Sequence, residues 1–245
     1  MPRPVLLIAG GSRGIGAATA KLAGARGYDV AVNYKTNSNA ATAVIKAVEK
    51  GGGKAVAIQG DMALENDIER VFDTATDTFG SLTHFVHSSG IIGEASRLDD
   101  ASAKTIREVL DVDTFGALLC LRTCMRRMST RHGGKGGAVV MLSSMAAPLG
   151  GANECVWYAA AKAGVDSMVI GASREVAKEG VRINAVTPGV IDTDIQPPGR
   201  VERLTPMLPM GRAGQADEVA EAVLFLLSDA ASYINGANLR VSGAR

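Results

Sequence analysis

The chain has 245 residues, 47% of them apolar and 21% charged. Its 26 basic and 25 acidic side chains leave a formal charge of +1, without the basic excess that marks a nucleic-acid binder. No uncharged apolar run approaches the roughly 18 residues of a membrane span, and Met1–Ile8 runs into a strand pattern with no secretory leader before it, so a cytoplasmic protein is expected.

The elements follow as alternating strand and helix patterns. Val5–Ala9 is an apolar strand that ends at glycines, and Ile15–Arg26 an alanine-rich helix. Asp29–Asn33 is the second strand, Asn39–Glu49 the second helix, and Ala55–Gln59 the third strand. The helix Leu64–Phe79 precedes the strand Leu82–His87, and a long helical region from Ser102 to about Met128 is broken near Val112. The strand Ala138–Leu142, the helix Tyr158–Lys178, the strand Val181–Val186, the helix Ala216–Leu227 and the strand Asn238–Val241 complete the chain. Strands alternating with helices, and apolar on successive positions, predict one α/β domain over residues 1–245. It is a Rossmann-type, doubly wound parallel sheet of about seven strands with helices on both faces. The proline-rich stretch Pro188–Gly214 is irregular and is expected to act as a substrate lid, with Ile195, Leu204, Met207, Leu208 and Met210 in the pocket wall.

Gly10, Gly11, Ser12, Arg13, Gly14, Ile15 and Gly16 join the first strand to the first helix. Glycines there let the backbone approach a pyrophosphate, and the helix N-terminus offers free N–H groups. The second strand ends Val32, Asn33, Tyr34, Lys35, with no carboxylate for a ribose 2′-hydroxyl. Arg13 and Lys35 instead suit a 2′-phosphate, so NADP(H) is the expected cofactor. Cys120, Cys124 and Cys155 are an odd number at no metal-ligand spacing and read as buried thiols; no metal site is expected.

With Tyr158, Lys162 and a preceding serine pair, Ser143 and Ser144, the sequence resembles the short-chain dehydrogenase/reductase family over essentially its whole length. The glycine loop, Asp61-Met62, the segment Arg182–Gly189, Gly211–Gly214 and Tyr233–Gly236 carry the resemblance in order. Tyrosine is a poor acid or base near neutrality, with a reference pKa near 10. A lysine four residues on shares its helix face and favours the tyrosinate. The resemblance implies that Tyr158 is the acid/base, that Lys162 lowers its pKa and holds the nicotinamide ribose, and that Ser144 bonds the substrate oxygen. It also implies cofactor contacts from Asp61, Met62, Ser88, Ser89, Gly90, Pro188, Gly189, Ile191 and Thr193. A small-molecule carbonyl or alcohol substrate and a homotetramer follow, with no nucleic-acid or membrane partner.

Three departures stand out. Ala9 replaces the usual threonine, and His87-Ser88-Ser89-Gly90 replaces Asn-Asn-Ala-Gly, with His87 expected as a hydrogen-bonding stand-in for asparagine. Asp113 stands where the family's catalytic asparagine is expected, which implies a perturbed proton relay. These changes keep open a nonenzymatic NADP(H)-binding sensor. Arg126, Arg127, Arg131 and Lys135 keep open a carrier-linked 3-oxoacyl substrate, against which Glu179 before Gly180 counts.

Overall fold

The inner strands form where short β-branched, apolar runs lie between glycine or polar turns. In the computed structural model, which describes residues 3–245, the strands are β1 (Val5–Ala9), β2 (Asp29–Tyr34), β3 (Ala55–Gln59), β4 (His84–His87), β5 (Gly137–Leu142), β6 (Val181–Pro188), β7 (Ile191–Asp192), β8 (Gly214–Gln215) and β9 (Asn238–Val241). Seven of them make one parallel sheet in the order β3-β2-β1-β4-β5-β6-β9. The helices are α1 (Gly14–Ala25), α2 (Ser38–Lys50), α3 (Glu65–Phe79), α4 (Ala103–Leu110), α5 (Ala117–Met128), α6 (Ala146–Leu149), α7 (Val156–Glu175), α8 (Arg200–Leu204) and α9 (Ala216–Leu227).

Successive strand residues face opposite sides, so the sheet has two cores. On one side Leu7, Phe85, Met141 and Ile183 meet Phe72 of α3, Cys124 of α5 and Val165 of α7. On the other, Leu6, Ile8, Val32 and Val140 meet Ala20 of α1, Val48 of α2 and Val223 of α9. Burial on both faces is why these strands read as continuous apolar runs. The strand order reverses between β1 and β4, and the crevice beyond the carboxyl ends of such a pair is where open α/β sheets bind ligands.

The long helical region from Ser102 is interrupted as expected, by a π-helical turn over Asp111–Gly116 that widens the helix between α4 and α5. The helix expected over Tyr158–Lys178 instead covers Val156–Glu175. The stretch Pro188–Gly214 is less irregular than its prolines suggest, because β7 pairs with β8 across it and α8 lies between them. Met207 and Met210, expected in the pocket wall, point to solvent at 66% and 61% exposure. The turn after α8 carries them away, while Leu208 packs with Val190, Leu204 and Ala213. Helix α6 was not expected: at four residues it is shorter than any periodic pattern can reveal, and it tolerates Pro148 because its first turn needs no intrahelical donor there.

His84 and His87 on β4 are held neutral. Burial pushes His84 down to about 4 and His87 to about 3, with the Lys162 ammonium adding to the second. Contrary to expectation, His87 does not inherit an asparagine's hydrogen bonds: it lies on the Phe85 side of β4, and neither ring nitrogen has a partner among the described residues. In an unfolded chain both imidazoles titrate near 6.5. Below that pH the unfolded form takes up protons that the folded form refuses, so stability falls by about 1.4 kcal/mol per pH unit for each histidine. Urea denaturation between pH 7 and 4.5 is expected to show this loss, with His87→Asn removing about half of the slope; an unchanged slope would count against it.

Candidate active site

Two adjoining cavities open at the carboxyl ends of the sheet. The first, of about 490 Å³, lies over the β1–α1 loop and the ends of β2 and β3. Gly10, Ser12, Arg13, Gly14, Ile15, Asn33, Tyr34, Lys35, Asp61, Met62, Ser88, Ser89, Gly90 and Thr193 line it, so most of the residues expected at a dinucleotide come together here. The loop is glycine by necessity. A Cβ on Gly10, whose φ is +71°, would sit 2.7 Å from the Ser89 nitrogen, and one on Gly16 would sit 2.3 Å from the Gly10 carbonyl oxygen. Gly16 therefore shapes the loop from beneath and does not line the cavity. No side chain caps the N-terminus of α1 and no acidic residue sits in its first turn, so the helix end is electrostatically ready for an anion.

Asn33, expected among the cofactor contacts, lines this cavity and also braces it. It is 1% exposed; its Oδ1 accepts from the Gly10 nitrogen at 3.1 Å, and its Nδ2 donates to the carbonyls of Gly60 at 3.0 Å and Ile58 at 3.3 Å. With both ends of its amide committed, Asn33 ties the glycine loop to the end of β3 and shapes the cleft. Met62 likewise turns its side chain into the core, next to Cys120. Both cations expected at a 2′-phosphate already face carboxylates: Lys35 Nζ lies 2.7 Å from Asp61, and Arg13 Nη1 lies 2.9 Å from Asp194. Asp194 and Thr36 also line this cavity and were not anticipated.

The second cavity, of about 500 Å³, contains Ser144, Tyr158, Lys162, Pro188, Gly189, Ile191 and Thr193 and shares Ile15, Ser88 and Gly90 with the first. Tyr158 and Lys162 stand one turn apart on α7, and the Lys162 ammonium is 5.6 Å from the Tyr158 ring centre. The serine pair divides its work. Ser143 Oγ donates to the Lys162 carbonyl at 3.2 Å, whereas Ser144 Oγ accepts from the Ala146 nitrogen at 3.1 Å and acts to lower the Tyr158 pKa. Both serines line the cavity with Tyr158, but Ser143 spends its hydroxyl on the backbone and Ser144 is the one of the pair that acts on the phenol.

Asp113 reaches this centre because the π-helical turn aims it inward. It is fully buried; Oδ1 accepts from the Ile91 nitrogen at 2.8 Å, and Oδ2 lies 3.3 Å from Lys162 Nζ. Lys162 Nζ also donates to the Leu142 carbonyl at 3.1 Å. Burial disfavours the ammonium, but Asp113 and Tyr158 outweigh it and raise the Lys162 pKa. Burial raises Asp113, with Lys162 pulling the other way. Burial also raises Tyr158; Lys162 opposes that rise, while the Asp113 carboxylate adds to it. The expected lowering by Lys162 is therefore present but does not prevail in the protein alone.

The three cysteines are buried and free, with burial raising each thiol. Among the described residues no cluster suits a metal ion, and no helix is long and apolar enough to cross a membrane.

A family profile described as enoyl-(acyl carrier protein) reductase matches residues 9–243. YgfF of Escherichia coli, described as an uncharacterized oxidoreductase, is 41% identical over 98% of this chain and 99% of its own. The cis-4-hydroxycyclohexanecarboxylate dehydrogenase of Sinomonas cyclohexanicum is 36% identical over 98% of this chain and 95% of its own. A solved short-chain dehydrogenase from Burkholderia cenocepacia, in complex with NADP, superposes with a TM-score of 0.90 at 32% identity, covering 99% of this chain and 97% of that one. Seven parallel strands in this order, a glycine loop at their switch point and this extent of likeness together make the chain a member of the short-chain dehydrogenase/reductase family of oxidoreductases.

Proposed function

We propose that the protein is an NADP(H)-dependent oxidoreductase that interconverts a small carbonyl compound and its secondary alcohol. The observation that carries this reading is the meeting of Ser144, Tyr158 and Lys162 in a cavity that adjoins the glycine-lined cleft. The residues fit the cofactor. Gly10–Gly16 and the bare end of α1 would hold its pyrophosphate, and Arg13, Tyr34 and Lys35 its adenosine end. Ser88–Gly90 would lie along the ribose, and Pro188–Thr193 beside the nicotinamide amide.

When bound, the nicotinamide supplies or accepts the hydride at the substrate carbon. Reduction of a ketone then needs one proton, which Tyr158 Oη donates to the substrate oxygen; oxidation of the alcohol returns it. Ser144 Oγ donates a hydrogen bond to the same oxygen and polarises the carbonyl. Lys162 stabilises the tyrosinate that remains, and Asp113 and the Leu142 carbonyl hold the ammonium in place. Asp113 is a positioning residue here: it offers Lys162 a full charge where the family's asparagine offers a dipole. The segment 188–214 serves as the lid over the substrate within a single domain spanning residues 1–245.

The cofactor preference is expected to be modest, because a 2′-phosphate must compete with Asp61 for Lys35 and with Asp194 for Arg13. Saturation near 100 Kd stabilises a protein by about 2.7 kcal/mol. Thermal-shift titrations are expected to reach this at about tenfold lower NADPH than NADH, and Lys35→Ala to erase most of the difference. Stabilisation by NADH alone would overturn the choice of cofactor, and binding without turnover of any ketone or alcohol would favour a sensor.

A homotetramer has support in two exposed apolar faces. Phe115 and Ile170 are exposed on the packed pair formed by the π-helical turn and α7, and Phe225 and Leu239 on the packed pair formed by α9 and β9. Sedimentation equilibrium at the mass of one chain would exclude it.

A further inference from the structure

The substrate cavity is not apolar throughout. Arg200 and Arg245 line it, together with Glu154 and Gln196. The Arg200 side chain is 19% exposed; its Nη2 and Nε donate to one Glu154 oxygen at 2.8 and 3.3 Å, and its Nη1 donates to Gln196 Oε1 at 2.6 Å. Arg203 takes the other Glu154 oxygen. One carboxylate therefore serves two guanidiniums. Burial pushes the Glu154 carboxyl up, but the two arginines outweigh it and keep its pKa low, so it stays ionised.

Three of the five Arg200 N–H donors are used within the protein, which leaves two for a ligand. Arg245 has no acidic side-chain partner within ion-pairing distance among the described residues, and burial followed by repulsion from Arg200 presses its pKa down. Two like charges facing one part-buried cavity are mutually unfavourable, and an anion between them relieves the repulsion. The remaining cation, Lys162, is already matched by Asp113. A clasp that merely fastened the 188–214 segment to Glu154 would need neither a second arginine on the same carboxylate nor Arg245 on the same wall. We propose that the substrate carries a carboxylate that seats on Arg200 and Arg245 while its carbonyl group meets Ser144 and Tyr158. Planar guanidinium forks favour carboxylates over neutral oxygen functions. The Leu149, Ile195 and Leu204 side chains in the same cavity suit an apolar spacer between the two ends.

The proposal rests on the oxidoreductase reading, and its test separates the two. Methyl ketone acids of increasing spacer length (3-oxobutanoate, 4-oxopentanoate, 5-oxohexanoate and 6-oxoheptanoate) are each assayed with NADPH beside their methyl esters. The acid is expected to exceed its ester in kcat/KM by about tenfold or more at one spacer length. Arg200→Met and Arg245→Met are each expected to lower that acid-to-ester ratio, and the double variant to bring it near unity. Arg200→Lys, which keeps the charge without the fork, should retain part of it. Because Arg200→Met also removes a lid contact, Arg245→Met provides the same reading without that loss. Ester turnover equal to or above that of the acid at every length overturns the carboxylate proposal and leaves the oxidoreductase reading standing. If neither compound turns over, calorimetric titration of the same pairs into NADP-loaded protein decides. Selective acid binding that Arg245→Met abolishes supports the proposal, and equal or absent binding overturns it.

Discussion

Tyr158→Phe is expected to lower kcat for ketone reduction by about 10²–10⁴-fold while leaving the cofactor-induced thermal shift in place, because in the proposed mechanism a single hydroxyl carries the proton in both directions. The phenol starts at a disadvantage: burial raises its pKa, Lys162 pulls it down, and the Asp113 carboxylate partly cancels that help. Alcohol oxidation, which needs the tyrosinate, is therefore expected to accelerate with rising pH until Tyr158 has titrated, whereas ketone reduction, which needs the phenol, weakens over the same range. Asp113→Asn removes the carboxylate that opposes ionisation and is expected to shift the oxidation profile toward lower pH. Steady-state rates from pH 6 to 10 in both directions check this. Retention of more than about a tenth of the wild-type rate by Tyr158→Phe would remove the phenol from the chemistry.

Lys162→Met should carry the largest stability cost at this site, about 3–5 kcal/mol at neutral pH, because it strands the buried Asp113 carboxylate without its counter-ion. Asp113 then has a folded-state pKa raised still further above its unfolded value. Its protonation favours the folded form below the unfolded pKa, and that stability is lost as pH rises through the folded one. The deficit of Lys162→Met relative to wild type is thus expected to shrink toward acid pH, the more so because His87 loses the repulsion of the Lys162 ammonium. Adding Asp113→Asn should restore most of the lost stability at neutral pH without restoring activity. Urea denaturation of the single and double variants measures both effects; a deficit independent of pH would mean that Asp113 is not the stranded charge.

Elements long enough to show a pattern among nearby residues were legible in the sequence. The apolar run Val5–Ala9 followed by glycines indicated a strand and a loop, and the four-residue spacing of Tyr158 and Lys162 put both on one helix face. Seven such strands with intervening helices left little choice of architecture. Side-chain partnerships across long sequence separations were not legible. That Asn33 would spend its amide on Gly10 and Gly60, or that Lys35 and Arg13 would already face carboxylates, follows from loop positions that no local pattern encodes. Glu154, Arg200 and Arg245 were missed because an acidic residue after a turn and arginines near a proline-rich stretch look like ordinary surface. Only the folded chain brings them to one cavity. The outward direction of Met207 and Met210 was likewise set by a short helix too brief to announce itself.

Because all seven sheet strands run the same way, the two rims of the molecule are unequal. The two cavities gather the glycine loop, Ser88–Gly90, Ser143–Ser144 and Pro188–Gly189, all at the strands' far ends. The return turns at the near ends, around Gly27, Gly52, Gly80 and Gly133, face open space. Ligand handling is therefore concentrated on one edge of the protein. The other edge is free to drift, to lengthen, or to accept a fused partner without disturbing catalysis.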